Sequence, residues 1–166
     1  NCIDSTDAMT VEFHSLPTPQ IVKADANDYL CADGNALTLK TSEEYKSYEW
    51  STAATNATID ATTAGDYTVE VTDDNNCKAI SEKFSVELHP LPVLDDIVDQ
   101  TVCVDAKANF TLTLATATEG EYTYNVSTVN PQTSNAFSLG KGNYSATVTD
   151  KYGCTSEAKS FKVEEY

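Results

Sequence analysis

The sequence contains no arginine: its ten cations are all lysine, set against 26 Asp plus Glu for a formal charge of −16. Without a guanidinium the chain has no planar fork for phosphate, and at a pI near 4.2 it repels polyanions. Nucleic acid is thereby excluded as a partner. No run approaches the ~18 apolar residues of a membrane-spanning helix, and no charged, apolar, cleavable leader precedes Asn1-Cys2. We therefore expect a mature or excised segment of something soluble. Methionine and tryptophan occur once each. What the chain has instead is 36 Ser plus Thr and nine Tyr, the mixture that half-buried pleated strands prefer. Long helices are not expected.

The chain repeats itself. NCIDSTDAMTVEFHSLP at its start returns 75 residues later as NNCKAISEKFSVELHPLP, and a third copy begins at Gly153-Cys154. In all three a cysteine stands nine positions before a Val-Glu pair: Cys2 and Val11, Cys77 and Val86, Cys154 and Val163. Upstream, Tyr67-Thr-Val-Glu-Val-Thr-Asp73 matches Tyr144-Ser-Ala-Thr-Val-Thr-Asp150. Tyr48-Glu-Trp50-Ser-Thr52 matches Tyr124-Asn-Val126-Ser-Thr128, and Leu37-Thr-Leu39 is paired with Leu112-Thr-Leu114. Self-similarity at a fixed period marks an array. We expect residues 19–89 and 90–166 to be complete repeats and 1–18 to be the last strand and linker of a preceding one. The linkers Ser15-Leu-Pro-Thr-Pro19 and His89-Pro-Leu-Pro92 read as semi-rigid spacers.

Within a repeat, period-two alternation recurs in short runs parted by turn residues. Leu37, Leu39 and Thr41 share a face, as do Tyr48 and Trp50, and Tyr67, Val69 and Val71; Asp73-Asp-Asn-Asn76 then turns the chain into a returning strand. About seven strands in such a length make an immunoglobulin-like sandwich, so the expected fold class is all-β, with tandem immunoglobulin-like β-sandwich repeats. Gly65-Asp-Tyr67 and Gly142-Asn-Tyr144 place a tyrosine where a tyrosine corner lies, and Trp50 takes the third-strand tryptophan position. Both read first as core residues.

The cysteines depart from the antibody pattern, because Val69 and Ala146 stand where a sandwich cysteine would. Two pairings are open. Cys31 with Cys77 and Cys103 with Cys154 is economical, but those ends of a sandwich lie farther apart than the ~7 Å Cα limit. If the bottom of one domain meets the top of the next, Cys31 instead reaches Cys154. Cys2 has no partner under either. Paired cysteines in a Thr-rich strand protein point to an oxidising, extracellular setting. No CxxC occurs, and His14 and His89 fall in separate linkers, so zinc is a poor alternative.

Taken together, Leu16-Pro-Thr-Pro19, Leu30-Cys-Ala-Asp-Gly34, Leu37-Thr-Leu39, Tyr48-Glu-Trp50-Ser51, Ala64-Gly-Asp-Tyr-Thr-Val-Glu-Val-Thr-Asp73 and Asn76-Cys77 resemble the immunoglobulin-like repeats of giant cell-surface adhesins of Bacteroidota. Gliding-motility adhesins and other cargo of the type 9 secretion system are of this type. The resemblance covers nearly the whole chain. It departs in the second repeat, where Val126 replaces the tryptophan and Asp105-Ala-Lys107 a glycine-containing turn. It implies a cell-surface stalk or adhesive array, exported across the outer membrane, without catalysis. Asp4-Ser5-Thr6 is likewise similar to the short motif at which Bacteroidota attach O-glycans, which makes Ser5 a glycosylation candidate. The sequons at Asn56, Asn109, Asn125 and Asn143 are what a Thr-rich chain produces by chance.

Other sites were weighed against bland readings. There is no nucleophile elbow, P-loop or dinucleotide fingerprint, and Glu43-Glu44 and Asp73-Asp74 read better as solvated loops than as acid and base. An enzyme is not expected. Calcium is the cofactor such a chain would take, since hard cations bind clustered carboxylates; the candidates are Asp25 and Asp28 near one linker and Asp95, Asp96 and Asp99 near the next, set against solvated acidic turns. Tyr45, Tyr122, Tyr152 and Tyr166 would make an adhesive or sugar-stacking surface if exposed, set against the reading that most of them are cross-strand packing residues. The leading expectation is a non-enzymatic extracellular repeat segment, a stalk or spacer in attachment or gliding motility. Its partners would be neighbouring repeats and surface glycans or host surfaces. The alternatives are a carbohydrate-binding module of a secreted polysaccharide-degrading protein, and a filament subunit in which Val11 and Phe13 of the orphan strand join a neighbour's sheet by donor-strand exchange.

Overall fold

A computed structural model describes residues 11–25, 29–116 and 120–166, and among them the regular elements are eighteen strands with no helix. Alternation decides which side chains turn inward. In the first meander Ser47–Trp50, Val69–Thr72 and Lys78–Ile80 pair antiparallel, with Tyr48 opposite Val71 and Trp50 opposite Val69. Val69 and Val71 are fully buried and Trp50 is 2% exposed. The indole Nε1–H donates to the Asn56 carbonyl at 2.8 Å, so the ring is buried without stranding its one polar atom.

The second meander repeats the first. Thr123–Val126, Gly142–Thr149 and Lys159–Glu165 pair antiparallel, with Val126 opposite Ala146, Tyr124 opposite Val148 and Tyr144 opposite Phe161. Val126 stands where Trp50 does, and the neighbouring volume is filled by Phe110, Phe137 and Phe161 in one apolar cluster. The Tyr144 hydroxyl donates to the Gly140 carbonyl at 2.9 Å, four residues upstream, which is the bond of a tyrosine corner. Tyr67 is buried at the matching position.

The facing strands are shorter. Ile21–Lys23, Leu37–Thr41 and Thr58–Ala61 form one sheet; Ala108–Thr111 pairs with Ala136–Leu139, and Leu114–Thr116 with Val93–Leu94. Burial corrects one match made from sequence. Leu37, Leu39 and Thr41 correspond to Ala108, Phe110 and Leu112, the alternately buried residues after each cysteine turn, and not to Leu112-Thr-Leu114. That second Leu-Thr-Leu spans a break at Leu112 and Thr113, where the strand exchanges one partner for another.

Ladders run parallel as well as antiparallel. Leu30–Cys31 pairs with Leu88–His89, and Gln100–Val102 pairs with Val163–Glu165. Each sets a short strand that runs up to a cysteine, Cys31 or Cys103, beside a strand much later in the chain. A buried serine completes each meander: Ser81 Oγ accepts the Val69 N–H, Ser156 Oγ accepts the Val148 N–H, and each hydroxyl donates to the next carbonyl. Nothing in the sequence singled these serines out.

By proximity the described chain falls into two compact units. Residues 11–22 with Leu39–Ile59 and Asp66–Ser85 make one; Lys23–Thr38, Asp60–Gly65 and Val86–Tyr166 make the other. Pro92, expected in an open spacer, is fully buried in the second. No helix among the described residues is long and apolar enough to cross a membrane.

Trp50→Ala should cost about 3–5 kcal/mol in urea unfolding, the range for emptying an aromatic core site. Tyr144→Phe, which removes one hydrogen bond and no volume, should cost about 1 kcal/mol. A loss under 1 kcal/mol at Trp50 would contradict the core assignment.

Candidate functional site

The five-residue turn Asp150–Cys154 is built by one carboxylate. Asp150 Oδ1 accepts the N–H groups of Tyr152 at 2.9 Å and Cys154 at 3.0 Å, the Gly153 N–H reaches the Asp150 carbonyl, and the Asp150 N–H reaches the Cys154 carbonyl. Gly153 takes φ 80°, the left-handed conformation that costs glycine nothing. The turn therefore presents Tyr152 and Cys154 in a fixed relation.

Both land on the end of a parallel ladder, within the second unit. Cys154 bonds Cys31, with Cα atoms 5.6 Å apart and 123 residues between them in sequence. Cys31 lies opposite His89 in the ladder, and the Ala32 N–H donates to the His89 carbonyl at 2.9 Å. The Tyr152 ring stacks on His89 at 3.8 Å between centroids and 23° between planes. Tyr29 meets both rings edge-on at 5.2 and 5.4 Å, and Lys23 Nζ sits 3.7 Å over Tyr29. Three aromatic rings, a cation and a disulfide thus close one joint. Stacked and cation–π contacts of this kind contribute about 0.5–1.5 kcal/mol each.

Of the two pairings left open by the sequence, the structure realises Cys31 with Cys154. Cys31 with Cys77 and Cys103 with Cys154 are corrected, because the ladder puts Cys31 beside His89, on which the turn that carries Cys154 stacks its Tyr152, and each sulfur makes one disulfide. Cys77 and Cys103 are not bonded; Cys103 is exposed and Cys77 partly so. Cys2 and Ser5 lie outside the described residues.

The acidic candidates are not gathered. Asp95 Oδ2 accepts the Thr113 hydroxyl at 2.6 Å, Asp96 pairs with Lys159 at 2.7 Å, and Asp99 Oδ1 accepts the Lys162 N–H at 2.8 Å. The Lys159 ammonium holds the Asp96 carboxyl below its ordinary range, first through the hydrogen bond and then through charge, while Asp96 raises Lys159. Asp25 is exposed and Asp28 lies outside the described residues. Among the described residues no group of three or more His, Cys, Asp or Glu comes together. Asp73 is likewise committed to its own turn, where its Oδ1 accepts two N–H groups.

The tyrosines proposed as an exposed surface are corrected in three of four cases. Tyr45, Tyr122 and Tyr152 are half-buried, because Tyr45 and Tyr122 pack towards Tyr48 and Tyr124 while Tyr152 stacks on His89. Tyr166 alone of the four is exposed, at 78%. Val11 and Phe13 stand in solvent. His89 in the ring stack was missed as a site residue; its repetition as His14 was the available signal.

No protein-family model matches the chain, and no curated protein sequence matches it. Solved structures do. A C-terminal fragment of intimin, in complex with the intimin-binding domain of the translocated intimin receptor, is similar over 91% of this chain and 64% of its own, at 14% identity and TM-score 0.50. The fibronectin(III)-like modules of Clostridium thermocellum CbhA match over 88% and 95%, at 11% identity and TM-score 0.47. A Bacteroides ovatus mixed-linkage glucan utilization protein, SGBP-B, in complex with a heptasaccharide, matches over 89% and 46%, at 13% identity and TM-score 0.30. The chain spans less than two thirds of the intimin fragment and under half of the glucan protein. The likeness shows the fold, an all-β sandwich of the immunoglobulin and fibronectin-III kind.

Replacing Cys31 and Cys154 together by alanine should lower the melting temperature, with a loop-closure ceiling of about 5 kcal/mol for a cross-link of this span. Calcium added to millimolar concentration should leave that temperature unchanged. A rise of several degrees would show that the scattered carboxylates regroup around the ion.

Proposed function

We propose that the chain is a non-enzymatic extracellular segment of a large bacterial surface adhesin, in which immunoglobulin-like repeats over 19–89 and 90–166 act as a stalk that carries a binding region away from the cell. The observation that supports this best is the joint. A disulfide between Cys31, near the start of one repeat, and Cys154, near the end of the next, removes bending freedom from a chain of domains, and the stack of Tyr152 on His89 adds to it. A spacer needs that stiffness; a catalyst or a lone sugar-binding module does not.

The surface agrees with the role. Among the described residues five lysine–carboxylate pairs lie at the surface, where water and salt screen them, so they set solubility more than stability. The remaining negative charge keeps the surface solvated. Gliding motility and export by the type 9 secretion system belong to the same reading through the sequence resemblance.

A glycan array probed with the intact chain separates this reading from a carbohydrate-binding module. The spacer should retain no glycan. Saturable binding to one polysaccharide class, lost on unfolding, would overturn it.

A further inference from the structure

The two unbonded cysteines, Cys77 and Cys103, stand in second copies of the two halves that Cys154 and Cys31 contribute to the closed joint. Cys77 is held by the same turn as Cys154, bond for bond. Asp73 Oδ1 accepts the N–H groups of Asn75 at 2.9 Å and Cys77 at 2.8 Å, the Asn76 N–H reaches the Asp73 carbonyl, and the Asp73 N–H reaches the Cys77 carbonyl. Asn76, at φ 62°, takes the place of Gly153 at φ 80°. Asparagine is among the few residues besides glycine that enter this region readily.

Cys103 is held as Cys31 is. The parallel ladder of Gln100–Val102 with Val163–Glu165 matches Val102 to Leu30 and Glu165 to Leu88, which sets Tyr166 beside Cys103 as His89 is set beside Cys31. The ladder extends by a bond from the Tyr166 N–H to the Val102 carbonyl, and the Cys103 thiol lies 3.7 Å from the Tyr166 hydroxyl. The turn after Cys103 is one residue shorter than that after Cys31, with Asp105 at φ 62° where the other has Gly34 at φ 85°. At the closed joint the ring opposite the cysteine is covered by Tyr152. Here the corresponding Tyr166 is 78% exposed and its cysteine is unbonded.

We infer that Cys103 with Tyr166 is an open socket, and the Asp73–Cys77 turn an open plug, for further repeats of this same kind joined in series. The cysteine near the start of each repeat bonds the turn cysteine of the repeat that follows. The partner is identified by the chemistry of the closed joint: an Asp-x-x-x-Cys turn meeting a cysteine at the end of a parallel ladder. Closing it breaks two S–H bonds and forms one S–S bond. The two electrons and two protons pass to a disulfide-donating oxidant, itself reduced to two thiols. The inference rests on the tandem-repeat part of the reading above and not on any ligand.

One chain carries both halves, so two copies can be made to meet. In a Cys2→Ser background that keeps Cys31 bonded to Cys154, C103S leaves Cys77 as the sole free thiol and C77S leaves Cys103. Each is charged with thionitrobenzoate and offered to the other as thiol, and released thionitrobenzoate is followed. On exchange the attacking thiolate forms the new S–S bond and thionitrobenzoate leaves with the electron pair. Rates are normalised to glutathione, which removes differences in intrinsic thiol reactivity. The Cys77 and Cys103 combination should exchange at least about tenfold faster than Cys77 with Cys77 or Cys103 with Cys103, because docking raises the effective concentration. Asp73→Ala, which unties the plug, should remove the advantage while the chain still melts cooperatively. Equal rates for all combinations would overturn the inference and leave the spacer reading to be judged by glycan binding.

Discussion

The parallel pairing of a short strand that runs up to a cysteine with a strand much later in the chain is the constraint from which the rest follows. Antiparallel pairing alone would close a meander and leave its ends wherever the loops allowed. Because Leu30–Cys31 runs parallel to Leu88–His89, Cys31 emerges beside His89. It therefore faces what comes next in the chain. The second ladder, Gln100–Val102 with Val163–Glu165, does the same for Cys103 and Tyr166. A disulfide placed there cannot be the one that staples two sheets of a sandwich. In the proposed reading it acts between successive repeats, and the buried interior is left to Trp50, Tyr67 and Val69 and to Phe110, Val126 and Phe161.

Much of the fold was legible because alternation and spacing are local. Tyr48, Trp50, Val69 and Val71 announce their strands through period two, and the Gly-x-Tyr signature announces the corner that Tyr144 forms. The partners of Cys31 were not legible, since both pairings satisfied the counting and only the geometry of the ends separates them. Register failed at Leu112-Thr-Leu114 for a physical reason. A shorter turn after Cys103 and a strand that changes partner shift the buried positions, while the Leu-Thr-Leu motif drew the eye to the wrong copy. Tyrosine exposure was misjudged because a turn residue such as Tyr152 has no parity to read. Ser81 and Ser156 gave no signal among so many hydroxyls.

The joint also accounts for residue choices that look arbitrary one by one. Asp150 and Asp73 sit four residues before a cysteine because one carboxylate oxygen must reach two N–H groups of the turn. Gly153 and Asn76 follow because that turn needs a positive φ. Tyr152 and His89 are aromatic where the two sides touch. In the proposed reading a charge of −16 belongs to a solvated spacer surface and is not the imprint of a substrate.

The central claim is that cysteines pair between repeats. Digestion under non-reducing conditions followed by mass mapping of the linked peptides tests it most directly. The account predicts one cross-linked pair containing Cys31 and Cys154, with Cys77 recovered apart from both. A peptide joining Cys31 to Cys77, or Cys103 to Cys154, would contradict it.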